Sequence, residues 1–229
     1  MNRDAAYQEL VRRRKVHQFP EGLLNPSQIC GGRYDTDHLS PWSRWQGDLN
    51  AEVVVVGQDW GDESYFLQNH GRDNDWEPTC SNLRDMAGRA GWDLGTPHFP
   101  KPQKLFLTNA VLGIRATTGK SGTPPVSWVN DSLPFLVELL QIIQPRVVVS
   151  LGVAASKACR MALLGVRRVP GVPLGATMAH LHGLGPIYSH GKPVWFPFYH
   201  CGPLGLANRG LELQRRDWKG LADWMQAFR

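Results

Sequence analysis

A chain of 229 residues, 42% apolar and 20% charged, carries enough hydrophobic material for one α/β domain and is too apolar for a disordered tail. Its 25 Lys and Arg against 20 Asp and Glu give a formal net charge of +5, which suits a polyanionic partner without demanding one. No apolar run approaches the ~18 residues of a membrane span, and the first twenty residues are too charged for a signal peptide, so a cytoplasmic protein is expected.

Residues 1–50 read as an irregular extension packed on the domain. One short helix is predicted over Arg3–Arg14, followed by Pro20, Pro26, Gly31, Gly32, Pro41 and Gly47. The basic run Arg12-Arg13-Arg14-Lys15 reads as a solvated face or a contact to phosphate. Residues 51–229 form the domain proper. Glu52–Gly57, with four consecutive valines ending at a glycine, predicts a buried parallel strand that opens into a loop at its carboxyl end. Further strands are predicted at Lys104–Val111, Arg146–Gly152 and Pro193–His200. Helices are predicted over Leu133–Ile143, with Ser132 as N-cap and Pro145 as stop, over Ala154–Leu164, and over Leu206–Phe228. Strand and helix in alternation predict a single α/β domain with a central, mostly parallel four-stranded sheet flanked by helices on both faces. Ligands gather at the carboxyl ends of such strands, which directs attention to Gly57–Gly61, Asn109–Arg115, Gly152–Lys157 and His200–Leu204.

Several motifs fall away on spacing. Gly119-Lys120-Ser121 resembles the end of a phosphate-binding loop, but five residues separate it from Gly113 where four are needed, and Gly122, Pro124 and Pro125 forbid the following helix. Thr117–Ser121 is left as a surface turn or a loop touching DNA phosphates. His180 and His182, with His190 and His200, have no acidic or cysteine ligand at a usual spacing, so no metal is expected. Cys30, Cys80, Cys159 and Cys201 form no close pair, and neither zinc nor a disulfide framework is expected of them. No cofactor is expected. Three features remain: Gly57-Gln58-Asp59-Trp60-Gly61 at the first strand's end, Asn109 inside an apolar strand, and His200-Cys201-Gly202-Pro203-Leu204 after the fourth. Each alone reads as a turn or as a polar group needing partners. In this order, each at a strand's end, they are specific.

These residues resemble the uracil-DNA glycosylase superfamily over roughly residues 50–225. One branch of that family carries a strand followed by Gly-Gln-Asp-Pro-Tyr, which Val56-Gly57-Gln58-Asp59-Trp60-Gly61 is similar to. Its central strand ends in Leu-Asn-Ala-Val-Leu, similar to Leu107-Thr108-Asn109-Ala110-Val111-Leu112, and its last motif, His-Pro-Ser-Pro-Leu, is similar to His200–Leu204. Trp128–Leu133 and Arg146–Lys157 resemble the helix and the strand-helix unit between them.

The resemblance implies a monofunctional glycosylase that flips uracil out of DNA and hydrolyses its N-glycosidic bond in base-excision repair, as a monomer. It implies that Asp59 positions a water and stabilises the oxocarbenium-like sugar, and that His200 donates to the developing uracil anion. Asn109 would read uracil by accepting from N3–H and donating to O4. Gln58, Gly61 and Phe66 would line the base, with Tyr65 the alternative to Phe66 as the stacking aromatic. Leu204 would wedge into the gap left by the flipped base, with Gly202, Pro203 and Arg209 on the DNA backbone. Arg209, Arg215, Arg216 and Lys219 together favour a polyanion over a small ligand. The motifs contain no lysine to form a Schiff base. Gly61 stands where the Gly-Gln-Asp-Pro-Tyr branch has a tyrosine that blocks 5-substituted bases, so either those bases enter or Trp60 supplies the bulk. The cysteine spacing does not match the iron-sulfur branch. Alternatives are a glycosylase of the same fold acting on hypoxanthine or another damaged base, a catalytically silent DNA-binding member, and a nucleoside hydrolase that shares only the sheet.

Overall fold

The computed structural model describes residues 2–116, 122–165, 177–188 and 191–228. Four strands, β2 (Val53–Gly57), β3 (Leu105–Asn109), β5 (Val147–Leu151) and β6 (Val194–Phe198), form an all-parallel sheet in the order β3-β2-β5-β6. Each is one to three residues shorter than its predicted span, and β2 and β3 are paired from Val53 facing Leu105 to Gly57 facing Asn109. Val54 and Val56 project into one core with Phe106, Val148 and Leu139, while Val53 and Val55 enter a second with Leu105, Leu107, Val147 and Val149. A strand buried on both faces has no polar side to alternate with, which is why its sequence is unbroken valine.

Helices α1 (Arg3–Val16), α5 (Val126–Ile143) and α6 (Gly152–Leu164) cover the first face. Helices α4 (Pro78–Arg89) and α9 (Leu211–Ala227) cover the second, joined by α2 (Pro41–Trp45) and α3 (Glu63–Gln68) through Trp42, Trp45 and Phe66. Helix α7 (Met178–Gly183) packs beside β6, and a small antiparallel ribbon pairs β1 (Leu23–Leu24) with β4 (Ile114–Arg115). Neither α2, α3, α4, α7 nor the ribbon is legible in the apolar periodicity. No helix among the described residues is long and apolar enough to cross a membrane.

Three expectations are corrected. Helix α5 starts at Val126 after Pro125, not at Leu133, and the Ser132 hydroxyl accepts the Leu112 amide at 3.1 Å instead of capping a helix. Pro134 therefore lies inside the helix; the helix does end as expected, at Gln144 in the left-handed region ahead of Pro145. The closing helix is two helices, α8 (Pro203–Asn208) and α9, broken at Arg209-Gly210, where the Gln214 side chain donates to the Arg209 carbonyl at 2.9 Å. In the basic run, Arg14 is neither solvated nor free for phosphate. It is 1% exposed and holds both Asp35 oxygens at 2.8 Å and the Thr36 and His38 carbonyls, pinning that segment to α1.

The segment after α2 covers the open edge of β3: the Leu107 amide donates to Gln46 at 2.9 Å and the Asp48 amide to Leu105 at 3.2 Å. Ser43 Oγ donates to the Leu107 carbonyl at 2.9 Å, so α2 is fastened directly to the strand that carries Asn109.

Candidate active site

The chain leaves β2 to form β3 on one side and returns to form β5 on the other, so the loops after β2 and β5 part and open a crevice at the strands' carboxyl ends. Asp59, Asn109 and His200 all lie on this edge, two residues past β2, at the end of β3 and two residues past β6. Gly57 is the floor. A methyl group there would sit 2.5 Å from Asn109 Oδ1 and 2.7 Å from Trp42 Cζ3, so only glycine lets the amide and the indole both approach the strand.

Asn109 is 2% exposed, and neither its Nδ2 nor its Oδ1 has a hydrogen-bond partner among the described residues. An amide buried with both functions unused costs stability, and few native groups are left so. The amide oxygen lies against Gly57 at the carboxyl end of β2.

Asp59 is held by Arg115 of β4. The Arg115 Nε donates to Oδ2 at 2.6 Å and Nη2 contacts the same oxygen, with both side chains about nine-tenths buried. Burial pushes the Asp59 carboxyl above its ordinary range, and the Arg115 guanidinium, with a smaller contribution from the Gln58 side chain, pulls it part of the way back. Arg115 Nη2 and Gln58 Nε2 both donate to the Gly122 carbonyl, at 2.6 and 2.9 Å, so the chain beyond β4 is tied across the Asp59 loop. The Arg115 guanidinium lies 5.6 Å from the Trp128 ring centre. Arg115 is absent from the motifs, although a lone arginine ending the apolar run Ala110–Ile114 is a signal for a buried ion pair.

His200 is half-buried beyond β6. The Gly202 amide donates to its Nδ1 at 3.0 Å, so Nδ1 is the acceptor and the neutral ring carries its proton on Nε2. Burial lowers the His200 pKa, which keeps the ring neutral at physiological pH. The arrangement is a neutral N–H donor aimed by a backbone contact. Gly202 is the N-cap of α8, Pro203 its first residue, and Leu204 is 78% exposed in its first turn.

The structure does not bring every expected residue into the crevice as a free group. Arg209 is doubly bonded to Asp217, at 2.6 and 2.7 Å, and that carboxylate also pairs with His182. Arg215 pairs with Asp85 and Glu212, and Lys219 with Asp223, so most of the basic cluster after the last motif is neutralised within the chain. Its weight as a polyanion signal falls accordingly. Phe66 is 1% exposed, edge-on to Trp60 with its ring tip by Gly71, inside the second core. Trp60 packs there too, at 5.5 Å from Phe66, while the ring beside Gly61 belongs to Tyr65. Thr117–Ser121 and His190 lie outside the described residues.

The family model for the uracil DNA glycosylase superfamily matches residues 45–222, from α2 through all four parallel strands into α9. The chain belongs to the uracil DNA glycosylase superfamily. Membership brings hydrolysis of N-glycosidic bonds in DNA as the class of chemistry, and DNA as the substrate. No curated protein matches the chain significantly. Asp59, Asn109 and His200 occupy three strand ends at the carboxyl edge of the sheet within the matched region.

Proposed function

We propose that this protein is a monofunctional uracil-DNA glycosylase. The observation that carries the reading is Asn109: a buried amide at the carboxyl end of β3, beside Gly57, with an acceptor and a donor that have no partner among the described residues. Uracil presents N3–H as donor beside O4 as acceptor, which matches that pair. Cytosine presents an unprotonated N3 and a 4-amino group, which inverts it. A base can reach Asn109 only after leaving the helix stack, and exposed Leu204 is suited to fill the space it vacates.

Bond cleavage leaves positive charge on the sugar and negative charge on the base. Asp59, kept ionised by Arg115, supplies the negative counter-charge. The Arg115 contacts at Nε and Nη2 fall on Oδ2, and the carboxylate is placed to hold a water against C1′. His200 donates from Nε2 to uracil O2 as charge builds there. No lysine lies in the loops Gly57–Gly61 or His200–Leu204 that carry Asp59 and His200, which favours water over an amine as the nucleophile and an abasic site as the product.

The test is an excision panel of uracil, hypoxanthine, thymine and cytosine in duplex and single-stranded oligonucleotides, with borohydride in a parallel reaction. Release of uracil with no trapped adduct is expected. Preferential hypoxanthine release, or a covalent adduct, overturns the reading.

A further inference from the structure

Behind the crevice lies a buried carboxylate for which membership of the superfamily gives no role. Asp73 is 7% exposed and pairs with no cation among the described residues. It accepts instead from two neutral ring donors, Trp42 Nε1 at 2.6 Å and the Tyr65 hydroxyl at 3.4 Å, with the Cys80 thiol nearby. These donors are the polar tips of rings whose bodies border the base site. The far edge of Trp42 meets Gly57 at the same point as Asn109 Oδ1. Tyr65 Cδ1 lies 3.5 Å from where a side chain on Gly61 would begin. The Tyr65 hydroxyl also accepts the Asn74 amide at 3.0 Å, so its ring has no freedom to swing.

Gly61 itself has φ of 131°, a conformation that resists any side chain. Bulk beside that position must therefore come from elsewhere in the chain. We infer that Asp73 is the positioning residue of the base pocket, holding Trp42 against Asn109 and Tyr65 against Gly61, and that the Tyr65 ring is the wall that excludes 5-substituted uracils. This rests on the proposed uracil-excision reading. A hydrogen-bonded carboxylate fixes both rings at once because each of its oxygens takes one ring donor. A wall so anchored rejects a substituent by collision, whereas a loose one yields to it.

The test compares kcat/KM for 5-hydroxymethyluracil and for uracil in duplex DNA, with free-uracil binding followed by tryptophan fluorescence. Wild type should strongly prefer uracil. Tyr65→Ala should raise the 5-hydroxymethyluracil-to-uracil ratio by about 10–200-fold, the scale of one small group in a packed pocket. Tyr65→Phe, which keeps the ring and loses the anchor, should raise it less. Asp73→Ala should raise the ratio and the uracil KM together, and Asp73→Asn, which keeps an acceptor, should restore both. An unchanged ratio in Tyr65→Ala overturns the assignment of the wall. Loss of thermal stability in Asp73→Ala with an unchanged ratio reduces Asp73 to a structural group and overturns its role. If wild type neither cuts uracil nor binds it, the functional reading fails and takes this inference with it. If wild type cuts uracil and only the ratios fail to move, the inference alone falls.

Discussion

Arg115 lays its guanidinium on the carboxylate of Asp59, Nε to Oδ2 at 2.6 Å, with only 9% and 10% of the two side chains exposed. An isolated carboxylate at that depth would favour its protonated form and lose the negative charge that the proposed mechanism asks of it. The pair thus opposes the effect of burial on Asp59 and favours its charged form, even though burying both ions contributes little net stability.

Arg115→Gln should move the acid limb of the single-turnover pH profile to higher pH. The sign follows from the environment: burial raises the Asp59 pKa and Arg115 opposes it, so removing the cation lets the pKa climb further. In the proposed mechanism the ionised form is the active one, so the rate should begin to fall at a higher pH. Asp59→Asn should abolish the limb along with most of the turnover. A profile unchanged in Arg115→Gln would show that the guanidinium does not set the charge state of Asp59.

Asn109 offers a trade of function against stability. Replacing it with leucine, of the same branched shape though larger, removes two unsatisfied buried atoms at once. Each such atom costs about 1–3 kcal/mol, so Asn109→Leu should melt at a higher temperature than wild type while losing uracil excision. A lower melting temperature would mean that the amide is satisfied in the free protein and is not reserved for a base.

What was legible in the sequence was local. The valine run ending at Gly57 marks a buried strand by itself, and Asp59, Asn109 and His200 follow their strands by fixed short offsets. What was not legible depends on contacts between distant segments. Arg115 meets Asp59 across 56 positions, and Arg14 reaches Asp35 across a turn whose course no periodicity encodes. The basic cluster misled because Arg209 and Asp217 are eight apart, beyond the reach of a continuous helix; they meet only because the chain breaks at Gly210. Trp42 and Trp45 look like scattered aromatics until α2 is fastened to β3 through Ser43. The start of α5 is hidden in the sequence because Ser132 and Pro134 imitate a start signal at a point where the serine serves Leu112.

Leu204 has almost nothing to lose on the free protein. It is 78% exposed, so Leu204→Ala should change the folding free energy by less than about 0.5 kcal/mol. A wedge acts only where a stack must be opened and kept open. Excision from duplex DNA should therefore fall by about tenfold or more, equivalent to ~1.4 kcal/mol of transition-state binding, while single-stranded substrate is cut nearly as before. Equal losses on both substrates would make Leu204 a general contact and not a wedge.

Asp73 gives a prediction in stability that is independent of catalysis. Burial pushes its pKa from 3.8 up to about 6, against the opposing hydrogen bonds from Cys80, Trp42 and Tyr65. Because the folded-state pKa is the higher one, the folded protein binds the proton more tightly than the unfolded chain. The ionised group therefore lowers stability. That penalty is absent below the unfolded value near 3.8, grows as pH rises to about 6, and is constant above it. A shift of this size corresponds to about 3 kcal/mol at pH 7. Asp73→Asn removes the charge and keeps the pairing, since its carbonyl still accepts Trp42 and its amino group donates to the Tyr65 hydroxyl, reversing that bond. The variant should melt above wild type at pH 7 to 8, and the gap should close as pH falls toward 4. Absolute stability is the wrong observable, because Asp37, Asp93 and Asp217 have lowered pKa values and pull the other way in the same acid range. The difference between the two proteins cancels those groups. A gap that does not vary with pH would show that Asp73 carries no charge penalty, and the raised pKa would then have to be abandoned.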